Sequence, residues 1–459
     1  PCRSRANAVA IARAGLDYLH NTFEFMRDGK CYKLAEAMKN FTGTFETGFI
    51  KGQATKPGAF ELRVPYKDKV LTGEPLKRQV NEWASLGVIE PDTAAAINEV
   101  VDNKTWLDLS DKYFVLLGAG SAMGPFLMLM ELGANIIAID LDRPGIWNRL
   151  IGVAEKSCGT LTFPLKGKQP VDRESLCAAA GCNLFTQTPE IKNWLCTVLP
   201  GKRLVVGGYA YLDGEAFVRV ALAMDAIIED LCNARKDTVV AFLNTPTHVY
   251  VVPDAARKAQ QAAYSKPSLL NIMLTPVKLA SKKMLVRNAL PPVKADDGAE
   301  FSLCDGLVVP QGPNYALAKL MQHWRCILAR EAGHVTSSNI APSTFTASVV
   351  HNRQFAWAYG GMHNFEPLEI FYQETSNAVM GALLLHDVTS PASPASPKAV
   401  VLRNPWELFA RNSFHGGVWR MGYKMDSIGA VSAVLYFWGK ARLAVLVLAL
   451  LFLAWLLFL

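Results

Sequence analysis

The period of the apolar positions changes along the chain, and each change marks a different kind of element. Through residues 1–110 the spacing is helical. "LDYLHNTFEFM" and "KLAEAMKNF" place apolar side chains three and four apart. "PLKRQVNEWASLGVIEPDTAAAINEVV" reads as a helix, a glycine turn and a second helix opening near Pro91. From residue 111, short continuous apolar runs alternate with helical stretches. Strands are expected at "YFVLLGAG", "NIIAID", "GTLTFPL", "CNLFTQT" and "DTVVAFLNTPT", with one more inside "RLVVGGYAYLDG". Helices are expected at "GPFLMLMELG", "ESLCAAAG" and "EAFVRVALAMDAIIEDLCNAR". Strands that alternate with helices predict an α/β fold with a doubly wound parallel sheet of the Rossmann type. Residues 248–300, rich in Ala, Lys and Pro, break the rhythm and read as an insertion, and "PASPASP" at 391–397 reads as a surface loop.

The division that follows is an N-terminal helical cap region (1–110), a sheet domain (111–390) with the insertion 248–300, an extension (391–442) and a tail (443–459). The tail, "LAVLVLALLFLAWLLFL", has no polar side chain and would span about 25 Å as a helix. Lys440 and Arg442 precede it, as expected for a cytosolic flank, so a single-pass C-terminal membrane anchor is expected, with the rest of the chain facing the cytosol. The net charge of +7 is thinly spread without a Lys/Arg block, which sets nucleic acid aside as a partner. The nine cysteines form no CxxC, and no histidine pair has ligand spacing, so no metal site is expected.

Two stretches carry candidate chemistry. Gly118, Gly120 and Gly124 lie between a strand and a helix, where backbone amides can meet a pyrophosphate. The next strand ends at Asp140, placed to accept from the adenosine ribose hydroxyls. A carboxylate there favours NAD, and Arg143 partly offsets this for NADP. In "GPNYALAKLMQHWR", Tyr315 and Lys319 share one helical face. An ammonium beside a phenol lowers the tyrosine pKa, and such a tyrosine can exchange a proton with a carbonyl/alcohol pair while a nicotinamide exchanges hydride. A second Tyr-x3-Lys pair, Tyr436 and Lys440, sits beside the apolar tail as an interfacial anchor.

Over roughly residues 111–390 the chain resembles the short-chain dehydrogenase/reductase family in a large, divergent form. "GAGSAMG" matches that family's Gly-x-x-x-Gly-x-Gly turn with Ala122 in place of the middle glycine, and "YALAK" matches its Tyr-x3-Lys helix. "APSTFT" resembles the segment that closes over the nicotinamide, with Ser343 for a glycine. The resemblance implies cofactor contacts from Gly118, Gly120, Ser121, Met123, Gly124, Asp140, Arg143, Pro342, Thr344 and Thr346. It makes Tyr315 the general acid/base, with Lys319 lowering its pKa and holding the nicotinamide ribose. The family's Asn-Asn-Ala-Gly is absent, and "LFTQTPE" stands where it is expected. The hydroxyl that orients the carbonyl falls either to Ser302, 13 residues before Tyr315, or to Thr245 or Thr247 after "TVVAFLN". The function implied is a membrane-anchored NAD(P)-dependent oxidoreductase acting on a lipophilic carbonyl or alcohol. The alternative is a non-catalytic nucleotide-binding scaffold on the same fold.

Overall fold

Seven strands build the central sheet: β1 (Glu46–Lys51), β2 (Tyr113–Leu117), β3 (Asn135–Ile139), β4 (Thr160–Leu165), β5 (Leu204–Gly208), β6 (Val239–Asn244) and β7 (Thr336–Ile340). The computed structural model describes residues 1–245, 247–266, 269–281, 283–306, 312–346 and 351–457, with the backbone alone at 269, 270, 280 and 442–457. The spatial order is β7-β6-β5-β2-β3-β4-β1. Strands β2 to β7 run parallel, and β1 lies antiparallel along the β4 edge. The chain winds outward from β2 through β3 to β4, then crosses back to β5 on the other side of β2. That reversal leaves a crevice between the carboxyl ends of β2 and β5, where open α/β sheets hold ligands.

Both faces of the sheet are covered, which is why its strands read as unbroken apolar runs. Val115 and Leu117 join one core with Ile137, Ile139, Val206 and Phe242. Their neighbours Phe114 and Leu116 join the other with Ile136, Ala138, Val205 and Ala241. The helices around the sheet include α1 (Arg5–Thr22), α2 (Phe126–Glu131), α3 (Glu215–Ala234), α4 (Leu269–Ala280), α5 (Pro313–Glu331), α6 (Arg353–Gly361), α7 (Gln373–Thr389) and α8 (Met425–Leu457). Helices α1, α3 and α5 contribute to the first core and α7 to the second. Gly312, at φ 85°, turns the chain into α5, and Pro313 supplies its first residue. Buried charge then holds α5 in place. Arg325 donates to both carboxylate oxygens of Asp225 on α3 (2.7 and 2.9 Å) and to Glu229 (3.0 Å), while His20 on α1 lies 2.7 Å from Asp225.

Several expectations change. The first 110 residues are helical only in part: "ETGFIK" forms the edge strand β1, Val64–Tyr66 pairs with Lys69–Leu71, and Glu24–Arg27, at the end of "LDYLHNTFEFM", pairs with Lys30–Lys33. Gly48 permits β1, since a Cβ there would lie 2.4 Å from the Phe163 ring of β4. "CNLFTQT" is a loop and not a strand. The Asn183 side chain accepts from the Phe185 and Thr186 amides (2.8 and 3.3 Å), a local turn that competes with ladder pairing. The fourth parallel strand is β5, so Tyr209 and Ala210, not "LFTQTPE", follow it. Helix α2 is shorter than "GPFLMLMELG" suggested and begins only after Pro125. Residues 248–300 hold α4, a second helix (Asp254–Ser265) and the strands Val249–Val252 and Ala289–Lys294, which flank Glu300–Asp305 in an antiparallel sheet that runs past the expected end of the insertion. The segment "NSFHGGVWR" at 412–420 is packed into the protein. His415 is fully buried, lies 3.2 Å from Glu90 and stacks on Trp419, while Arg420 pairs with the same Glu90.

Among the described residues no helix is long and apolar enough to cross a membrane. The backbone of α8 continues to Leu457, but the side chains of the expected anchor, 443–459, lie outside the described residues.

Candidate active site

A cavity of about 510 Å³ opens at the carboxyl ends of the central strands, at the point where the winding reverses. Its walls come from the glycine turn after β2, Asp140 after β3, Tyr211 after β5, Thr245 and Thr247 after β6, and Pro342 to Thr344 after β7. One sheet edge thus gathers residues that lie more than 200 positions apart in the chain.

The glycine turn is tightly fitted. Gly118 has φ 93°, and a Cβ there would come within 2.5 Å of the Ala210 nitrogen, so no other residue lets the turns after β2 and β5 meet this closely. Asp140 caps the turn. Its Oδ2 accepts from the Gly120 amide (2.6 Å) and its Oδ1 from Leu141 (2.8 Å). Burial raises the Asp140 pKa above the ordinary carboxylate value, against these amide bonds and the charges of Arg149 and Arg143. The amides of Gly118, Ala119, Gly120, Ser121 and Gly124 all bond within the protein. Ala122 and Met123 also line the cavity. The Ala122 carbonyl is held from α7 by Gln373 Nε2 (2.9 Å) and Asn377 Nδ2 (2.8 Å). Because a trans peptide sets C=O and N–H opposite one another, the Met123 amide points away from α7, and α7 thereby orients this turn. Gln373 and Asn377 escaped the sequence reading, as did Arg149, which donates to Gly120 O (2.9 Å) and lines the cavity beside Asp140. No local motif announces any of the three.

At the other end, Tyr315 sits with its hydroxyl 3.1 Å from Thr245 Oγ1. Its ring packs against Phe217 (5.2 Å between centroids) and Tyr211 (6.1 Å). Lys319, one turn further along α5, is buried and donates to Leu243 O (2.8 Å) and Gln322 Oε1 (3.2 Å). Its Nζ stands over the Tyr315 ring, 5.8 Å from the centroid, and not at the hydroxyl. The expected lowering of the tyrosine pKa is therefore not produced by this arrangement: burial raises it, with the Thr245 hydrogen bond opposing. Burial likewise pushes Lys319 down to about 8. Behind Thr245, Tyr250 places its hydroxyl 2.8 Å from Thr245 O and 2.9 Å from His323 Nε2. His323 donates from Nδ1 to Lys319 O (2.6 Å), and burial holds its pKa well below the ordinary imidazole value, so Nε2 is left as an acceptor.

Distance separates the candidate hydroxyls. Thr245 touches Tyr315, and Thr247 lines the same cavity with its hydroxyl on Thr245 O (3.3 Å). Ser302 is elsewhere. It lies in the small antiparallel sheet, donates to Asp254 Oδ1 (3.1 Å) and accepts from Arg257 Nε (3.0 Å). Of the residues expected at the cofactor, Gly118, Gly120, Ser121, Met123, Asp140, Pro342, Thr344 and Thr346 line the cavity. Gly124 and Arg143 stand behind it, and Arg143 acts on Asp140 through its charge. Among the described residues no cluster could hold a metal ion. No family model, no curated protein and no solved structure matches this chain. The fold itself is a mixed α/β, Rossmann-like arrangement with helices on both faces of a mostly parallel sheet.

Thr245→Val is expected to lower turnover by about 10²-fold, because it removes the hydroxyl partner of Tyr315. Ser302→Ala is expected to leave turnover unchanged. Steady-state kinetics of the two variants read this directly, and the reverse pattern would return the role to Ser302.

Proposed function

We propose that the chain is an NAD(P)-dependent oxidoreductase of the short-chain dehydrogenase/reductase kind, anchored to a membrane and acting on a lipophilic carbonyl or alcohol. The observation that carries this reading is the Tyr315 hydroxyl on Thr245, at the far end of a switch-point cavity that begins at a glycine turn. The residues present suit a nicotinamide dinucleotide. Gly118, Gly120, Ser121, Ala122 and Met123 line the end of the cavity where a pyrophosphate would lie, and Asp140 retains lone pairs for a ribose hydroxyl. Pro342, Thr344 and Thr346 would flank the nicotinamide. When bound, that group would supply or accept the hydride.

The chain's own part is proton transfer and positioning. Tyr315, kept protonated by burial, is set to donate to a carbonyl oxygen held between its hydroxyl and that of Thr245. The Lys319 charge, over the ring and not at the hydroxyl, would offset only part of the burial cost of the phenolate left behind, and Lys319 also ties down the end of β6 through Leu243 O, two residues before Thr245. A protonated tyrosine at neutral pH favours reduction over oxidation. The reduction rate is expected to be level near neutrality and to fall as pH rises past about 8, where Lys319 loses its charge. A pH–rate profile for kcat checks this, and a rate that climbs through that range would contradict it.

The cofactor choice turns on Asp140 and Arg149. Asp140 supports NAD(H), which we retain as the slight preference, whereas Arg149 beside it offers a partner to a 2′-phosphate. Arg149→Ala is expected to weaken NADPH binding about tenfold and NADH binding by less than about twofold. Equal losses in a calorimetric titration would show that Arg149 only braces the turn. The overall reading is tested by following nicotinamide absorbance with the full chain and a panel of long-chain aldehydes and ketones. Absence of turnover with bound cofactor would favour the scaffold, a reading supported by how fully Asp140 is engaged by the turn's own amides.

A further inference from the structure

Helix α4 keeps apolar side chains on both of its sides. Its inward side buries Leu274 and packs Val277 against the core beside two polar residues. The Asn271 carbonyl oxygen accepts from the Tyr423 hydroxyl (2.6 Å), and Lys278 lies over the Tyr264 and Tyr423 rings at 4.7 and 4.9 Å. Its outward side still exposes Ile272 (63 %), Met273 (59 %) and Leu279 (84 %), the first and last seven residues apart on one helical flank. A helix surrounded only by water normally presents a polar face there.

The place where α4 docks matters. Tyr423 stands two residues before α8 begins, and the strand of chain after α4 is bonded to the first turn of α8, with Leu285 N donating to Ser427 O (3.0 Å). On another side of the same helix, α6 packs so closely that a Cβ on Gly361 would lie 1.8 Å from Ser432 O, and one on Gly360 would lie 2.7 Å from the Tyr436 ring. Trp357 of α6 meets Phe437 of α8 edge-on at 5.0 Å, and both remain partly exposed, as does Trp438. Apolar exposure is thus gathered around the root of the one helix whose sequence runs on into the unbroken apolar stretch 443–457. Exposed Lys283, Arg353 and Lys440 rim it, while the acids nearby already have lysine partners: Glu366 with Lys266 (3.8 Å) and Asp426 with Lys424 (4.0 Å). Aliphatic side chains with aromatic and basic neighbours are the composition of a surface that lies in the boundary between headgroups and acyl chains.

We propose that α4, Trp357 and the Val434–Trp438 flank of α8 form a membrane-docking face that rests in an anionic lipid surface beside the anchor. The proposal rests on the membrane reading above and deepens it. Helix α6 has Tyr359 in the cavity wall and Trp357 on this face, so a single short helix separates the reaction chamber from the lipid. The substrate class that fits is a lipid-dissolved carbonyl or alcohol taken from the bilayer.

The test uses the full chain reconstituted in phosphatidylcholine/phosphatidylglycerol vesicles that contain a phosphatidylcholine with a diazirine in its acyl chain. After photolysis, labelled peptides are mapped by mass spectrometry. Label is expected in 269–280 and 434–441 as well as in 443–459. The double variant Ile272→Glu/Leu279→Glu, altered only at exposed positions, is expected to lose the label in 269–280 while still floating with the vesicles. Label confined to 443–459 would overturn the docking face and leave the anchor standing. No label anywhere, with no flotation, would remove the membrane reading as well.

Discussion

Tyr315→Phe is expected to lower turnover by about 10²–10⁴-fold while cofactor affinity stays within about twofold. The reasoning is local. The phenylalanine ring fills the same space against Phe217 and Tyr211, so packing is retained, and only the hydroxyl and its bond to Thr245 are lost. In the proposed reaction the hydroxyl gives its proton to the carbonyl oxygen, and neither of the neighbouring tyrosines offers its hydroxyl to the Thr245 side chain. Tyr211 is turned to Asp213 (2.8 Å), and Tyr250 lies behind Thr245, on His323. Pre-steady-state kinetics with one turnover of cofactor separate the chemical step from binding. Normal single-turnover rates in this variant would end the assignment of Tyr315.

Arg325→Met carries the largest expected effect on stability, a loss of about 3–5 kcal/mol. The guanidinium is buried and is the main partner of a buried carboxylate. Burial alone would raise the Asp225 pKa, but Arg325 and His20 hold it at about 2. Its folded pKa therefore lies below the unfolded value near 4, so its stabilisation is present above about pH 4 and is lost as pH falls towards 2. His20 runs the other way. Burial lowers its pKa, the Asp225 and Glu229 carboxylates overcome that, and the folded value ends above the ordinary imidazole value. Its contribution is complete below that ordinary value and is lost as pH rises through the raised one. Since this cluster joins α1 and α3 to the helix that bears Tyr315, the variant is expected to lose stability and site geometry together. Denaturant titrations of both proteins across this pH range read the difference, and a loss under about 1 kcal/mol would show that methionine packing replaces the pair.

Much of this was legible in the residues because local physics and the fold agree. Both faces of the sheet are covered, so β2, β3 and β6 read as apolar runs, and Tyr315 and Lys319 share a face because α5 is a helix. What was not legible depended on distance in three dimensions. Ser302 stands closer to Tyr315 in sequence than Thr245 does, but only the sheet order shows that β6 ends beside α5. "CNLFTQT" has strand composition, yet one asparagine side chain turns it into a loop. Edge strand β1 was missed, because its pairing with β4 depends on the Phe163 ring lying over Gly48, more than 100 residues away in the chain. Gln373, Asn377 and Arg149 reach the glycine turn from other helices, and the position of Lys319 Nζ over a ring could not be read from a four-residue spacing.

The most direct test of the central claim is a titration of the full chain, in mild detergent, with NADH and with NADPH, read by cofactor fluorescence. Saturable binding of at least one in the micromolar range is the expected result, competed by the oxidised form of the same nucleotide. Binding of neither at millimolar concentration would contradict the claim. The turn at Gly118 would then be a packing device, and the cavity before Tyr315 would need another ligand.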